Sequence, residues 1–171
     1  MAKPDIIITA DHTDEFKQEF KEAVDRALEA IGMHIEGEAK EELNNTPKRI
    51  DTGLLRNSIT YAISGEAPAI RSYHASQGSK RDSSGRRRGS GSESAGSVGF
   101  GTYSGTAPQD PDDQRAVYVG SNVEYASYIH EGFTMANGRK IAPNRYLKNA
   151  VDKNRDQIGN LLQREMDKIK D

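Results

Sequence analysis

The sequence predicts an α+β fold: a small antiparallel sheet packed against a long N-terminal helix and a C-terminal helix, with a long Gly/Ser/Arg-rich insertion between two strands. Three observations carry this. Apolar residues recur at three- and four-residue steps from Phe16 to Leu43. Side chains alternate from Ile59 to Ser64 and again at Val117 and Val119, and a second helical stripe runs from Tyr146 to Ile169.

Taken in order, Ile6-Ile7-Ile8-Thr9 is β-branched throughout and reads as a short strand before a polar turn. A helix of about 28 residues follows. Asp11 or Thr13 can cap it, Asp14 and Glu15 suit the positive end of its dipole, and Phe16, Phe20, Ala23, Ala27, Ile31, Ile35, Ala39 and Leu43 form its apolar stripe. Gly32 and Gly37 each cost this helix about 1 kcal/mol against Ala unless close packing or a bend uses them. A helix that outruns its own domain is a first hint of assembly. Asn44-Asn45-Thr46-Pro47 ends it, because Asn tolerates a left-handed cap and Pro cannot continue the ladder.

Asp51-Thr52-Gly53-Leu54-Leu55-Arg56-Asn57-Ser58 reads as a tight turn with one helical turn. It leads into a strand in which Ile59, Tyr61 and Ile63 face one way and Thr60, Ala62 and Ser64 the other, so one face should be buried. Val117 to Ser121 is its partner, with the insertion as the connection. Tyr125 to Gly132 reads as a short helix stopped by glycine. Asn137-Gly138 is a two-residue hairpin turn. Pro143 is expected to start the last helix, whose stripe is interrupted near Asn154.

Composition locates the insertion. Over the whole chain 34% of residues are apolar. Residues 74–114 hold only six of these among 41 positions, with eight Gly and nine Ser. The expectation is a single domain over 1–171, with 74–114 as a low-complexity loop or arm. Its cations Lys80, Arg81, Arg86, Arg87 and Arg88 are opposed locally only by Asp82. Three readings stay open for them: contact with DNA phosphates, a solvated tether, or an arm that orders against an acidic surface of a neighbouring subunit.

The chain has no Cys, which removes disulfides, thiolate metal sites and a cysteine nucleophile. With 24 basic and 26 acidic residues, its net charge of -2 is not that of a polyanion binder. No segment is apolar enough for a signal peptide or membrane span, and a soluble intracellular protein is expected. His130-Glu131 lacks the second His that a zinc-protease helix needs, since position 134 is Thr. Gly96-Ser97-Val98-Gly99 is a composition-driven near match to a hydrolase elbow. Asp110, Asp112 and Asp113 lack calcium-loop spacing. The expectation is no catalytic residue, no metal and no cofactor.

Three blocks then carry a resemblance. Asp51-Thr52-Gly53-Leu54-Leu55-Arg56-Asn57-Ser58-Ile59, Val119-Gly120-Ser121-Asn122-Val123-Glu124-Tyr125-Ala126 continuing through Tyr128, Glu131 and Gly132, and Ala142-Pro143-Asn144-Arg145-Tyr146-Leu147-Lys148-Asn149-Ala150 follow in order. Together they resemble the tail-completion, or head-tail joining (neck), family of tailed bacteriophages with long non-contractile tails. Tyr146 stands where the family commonly has Phe, and His130 where an apolar residue is more usual. The long insertion inherits no role from the family.

The resemblance implies a non-enzymatic virion protein that joins head connector to tail as a homo-oligomeric ring around the DNA channel, with six copies favoured. It implies a location at the head-tail interface, with assembly in the host cytoplasm. The implied partners are further copies, the head connector or stopper, the tail-terminator or tail-tube proteins, and non-specific contact with genomic DNA. Asp51, Thr52, Gly53, Leu55, Arg56 and Ser58 become a structural turn, with Leu54 or Leu55 as its anchor. Tyr125, Tyr128, Glu131 and Tyr146 become candidate interface residues, although Tyr125 and Tyr128 suit a core rim equally. A DNA-binding module working through the basic arm is the alternative function.

Overall fold

Residues 12–45, 53–75, 99–109 and 115–169 are described by the computed structural model of the chain. The strand expected at positions 6–9, the turn residues Asp51 and Thr52, the cations at 80, 81 and 86–88, and Asp110, Asp112 and Asp113 lie outside them.

Helix α1 (Thr13–Asn45) has 33 residues, a rod of about 50 Å. The apolar stripe read from the sequence is its buried side from Ala23 onward, and Ile31, Ile35, Ala39 and Leu43 enter the core. The stripe continues back through Phe20 and Phe16, but these are exposed, their rings stacked at 6.4 Å. Residues 12–22 are exposed throughout, so about 15 Å of helix stands beyond the packed body.

Gly53, at φ +72°, turns the chain into the single helical turn α2 (Leu54–Ser58). Leu55 rather than Leu54 is the core anchor. Strand β1 (Thr60–Ile63) then pairs antiparallel with β4 (Val117–Gly120), in register Thr60 to Gly120 and Ile63 to Val117. This is the expected strand pair spanning the insertion.

Two features differ from the sequence reading. β1 is covered on both faces: Ile59, Thr60, Ala62, Ile63 and Ser64 are all buried. α1 lies over one face, while Pro68 and the stretch Tyr103–Pro108 lie against the other. Small hydroxyl residues make this tolerable because their polar atoms are satisfied. Thr60 Oγ1 accepts from the Ile70 amide at 3.0 Å, and Ser64 Oγ from the Ala116 amide at 2.9 Å. Second, the connection between β1 and β4 contains another antiparallel pair, β2 (Ser72–Ala75) and β3 (Gly99–Thr102). Strand structure therefore enters the segment 74–114 at both ends of its polar middle.

Helix α3 (Ala126–Glu131) is stopped by Gly132 at φ +78°, where a Cβ would lie 2.6 Å from the Ile141 carbonyl oxygen. β5 (Phe133–Thr134) and β6 (Lys140–Ile141) form the hairpin around Asn137-Gly138. The last helix begins at Tyr146, three residues after Pro143, because Asn144 is first used to bring its amide to the Ile129 carbonyl at 2.9 Å. It is broken at Asn154 into α4 (Tyr146–Lys153) and α5 (Arg155–Asp167), both packed along α1. Asn154 Nδ2 donates to the Ala150 carbonyl at 2.9 Å and to Glu38 at 3.2 Å, and its Oδ1 pairs with His34 at 3.3 Å. The break is thus tied to α1. Among the described residues no helix is long and apolar enough to cross a membrane.

Candidate functional site

The three sequence blocks meet in space. α2 brings Ser58 into the interior, where it is fully buried, and the loop after β4 places Ser121 beside it. The two Oγ atoms are 2.6 Å apart. Ser58 also donates to the Leu55 carbonyl at 2.7 Å, closing the helical turn, and Ser121 Oγ accepts from the Val123 amide at 3.1 Å. These contacts fasten α2 to the loop after β4, and the Ser121 hydroxyl also hydrogen-bonds the Tyr103 phenol.

The second hairpin is clamped to the same point. The Tyr103 hydroxyl donates to the Ser58 carbonyl, and the Tyr73 hydroxyl donates to Asn122 Oδ1 at 2.5 Å. Asn122 Nδ2 donates on to the Thr102 carbonyl at 2.8 Å, and Asn57 Nδ2 to the His74 carbonyl at 2.8 Å. The two tyrosine rings lie 5.7 Å apart. Burial pushes the Tyr103 phenol up to about 12 and raises Tyr73. Sequence reasoning missed Tyr73, Tyr103 and Asn122 in this role. A pair of tyrosines bracketing a Gly/Ser-rich stretch was the available signal.

Of the expected turn residues, Gly53 takes a positive φ, Leu55 and Ser58 are buried, and Arg56 is exposed and donates to Asn44 at 3.2 Å. Of the expected interface residues, Tyr128 and Glu131 are exposed, and Tyr125 is at the surface at the start of α3. Tyr146 departs from that group. At 1% exposure it belongs to its own core, and burial pushes its phenol up to about 12. Tyr128 instead meets Phe133 edge to face at 6.2 Å, both exposed, and Met135, two residues further along the chain, is exposed as well.

His130 Nδ1 lies 2.7 Å from Glu131, the geometry an acid/base pair would need. Its other nitrogen is buried with no partner among the described residues, and the ring stands edge to face on Tyr146 at 5.3 Å. The largest of the described cavities, about 330 Å³, is walled by Asp25, Arg26, Glu29, Tyr61 and Glu66. Arg115 bonds Asp25 at 2.6 Å and Glu66 at 3.3 Å, so two of these carboxylates are committed to an ion-pair clamp. Among the described residues no cluster of His, Asp or Glu could hold a metal ion.

Residues 10–132 match a family model, HK97-gp10_like, described as "Bacteriophage HK97-gp10, putative tail-component". No curated protein matches the chain. No solved structure matches it.

Proposed function

The chain belongs to the HK97-gp10-like family of bacteriophage tail components, and from that premise we propose that it is the structural piece joining head connector to tail. In this reading copies of the chain close into a ring around the DNA channel, six being the favoured number. One ring face meets the connector or stopper, and the other meets the tail-terminator or tail tube.

The observation that carries the reading is the presence of two unlike apolar surfaces on one subunit. One is the projecting start of α1, where Phe16 and Phe20 extend the core stripe into open space. The other is the exposed Tyr128 and Phe133 pair at α3, followed in the chain by exposed Met135. A ring needs such a pair, since each head-to-tail contact joins two different patches. Among the described residues nothing comparable supports catalysis: the serine hydroxyls bond each other and the backbone, and Asp25 and Glu66 at the largest described cavity are clamped by Arg115.

The test is an infection with the gene for this chain removed. Full heads and finished tails should accumulate separately, and adding purified protein to the mixed lysate should join them. Particles that join normally without it would refute the proposal.

A further inference from the structure

We infer that the outer edge of β4 receives the Ile6–Thr9 segment of a second copy of this chain as an added strand. This rests on the self-assembly reading above and specifies one of its contacts. The Ser64 amide bonds the Ala116 carbonyl at 2.9 Å, so Ala62 with Tyr118 and Thr60 with Gly120 face each other as ladder pairs. Residues between them turn their amides and carbonyls outward. On β1 those outward groups are used: the Tyr61 carbonyl accepts from Ala69 and the Ile63 carbonyl from Glu66, both at 2.9 Å. On β4 they belong to Val117 and Val119, and among the described residues they have no backbone partner.

Beside this edge runs an apolar groove of about 290 Å³. Ile31 and Ile35 of α1, Val117 and Val119 of β4, and Leu147 and Val151 of α4 line it. An unpaired edge flanking an apolar trough is what an extended β-branched segment recognises: main-chain bonds hold it, and alternate side chains fill the trough. Ile6-Ile7-Ile8-Thr9 has that chemistry, with Ile6 and Ile8 spaced to match Val117 and Val119.

The chain's own segment cannot seat both Ile6 and Ile8 in the groove, because Ile8 falls short. Ile31 lies 18 residues after Thr13, about 27 Å along α1, and Ile35 about 33 Å. Ile8 is five residues before Thr13, at most about 18 Å of extended chain, and Ile6 at most about 25 Å. The donor is therefore a neighbouring copy.

Because the chain has no Cys, an engineered pair reports cleanly. Full-length Ile6→Cys and Ile8→Cys proteins are each mixed with Val117→Cys or Val119→Cys protein and oxidised. At least one pairing should give a disulfide-linked dimer, at several times the yield obtained with Ile7→Cys, whose side chain faces away. Chains carrying both substitutions should link into multimers. The double variant Ile6→Asp/Ile8→Asp should keep its helical circular dichroism and lose its multimeric mass. No mixed disulfide in any pairing, a bond closing within one chain, or an aspartate variant that still assembles would each overturn the inference. Rings without cross-links would remove this contact alone. Solitary chains without cross-links, with connector and tail present, would remove the assembly reading as well.

Discussion

The ring of Tyr61 occupies the space that a side chain at Gly32 would need. A Cβ on Gly32 would fall 2.5 Å from Tyr61 Cδ2 and 2.8 Å from Val117 Cγ2. The absent side chain is what lets α1 lie directly on the β1/β4 pair. Gly37, five residues on, has open space where its Cβ would be. Gly32→Ala should therefore destabilise the fold by about 1–3 kcal/mol through overpacking. Gly37→Ala should stabilise it by about 0.5–1 kcal/mol through helix propensity. Urea unfolding of both variants checks the opposite signs.

Ser58 is the point at which α2, the loop after β4 and the second hairpin are fastened. Ser58→Ala removes the contact with Ser121 and the bond closing the turn, and Tyr103→Phe removes the donor to the Ser58 carbonyl. Each should cost about 1–2 kcal/mol. The double variant should cost less than the sum, because both act on one network. A double-mutant cycle on unfolding free energies measures the difference.

Burial holds Tyr103 and Tyr146 protonated, with phenols at about 12 against an ordinary 10.0. For a group whose folded value is raised, the associated stability is complete below the unfolded value and is lost as pH rises through the folded one. Stability should thus be insensitive to these groups below pH 10 and fall between 10 and about 12. Tyrosinate absorbance followed beside circular dichroism should retain a component that appears only as the helical signal collapses. Tyr146→Phe should diminish that component.

Phe16 and Phe20 are both exposed, so Phe16→Ser/Phe20→Ser should change monomer stability by no more than about 0.5 kcal/mol. In the proposed role the same variant should fail to join heads to tails. Thermal melts beside the lysate joining assay separate the two effects.

How much of this was legible in the sequence depended on periodicity. α1, β1, β4 and the broken C-terminal helix announce themselves because apolar residues repeat at helical or strand spacing, and Asn154 marks the break by interrupting the stripe. Gly53, Gly132 and Gly138 were legible as turns because each needs a positive φ. β2 and β3 were not, since the alternation in Ser72 to Ala75 and around Phe100 is only two apolar residues long and borders a Gly/Ser-rich stretch. They are held by the Tyr73 and Tyr103 phenols, and Gly101 leaves room for the Tyr73 ring. The double-sided burial of β1 was hidden for a related reason. Thr60 and Ser64 read as solvent-facing, and only their tertiary partners make them interior. Tyr146 looked like an interface aromatic, yet its place at the start of α4 turns it inward against His130.

The claim on which the account turns is that copies of this chain are built to bind one another. Native mass measurement of the purified full-length protein, alone and with isolated connectors and tails, paired with electron microscopy, tests it most directly. The account predicts a closed multi-subunit ring, six copies being favoured, formed alone or when a partner ring is supplied. A chain that remains single under every one of these conditions would contradict it.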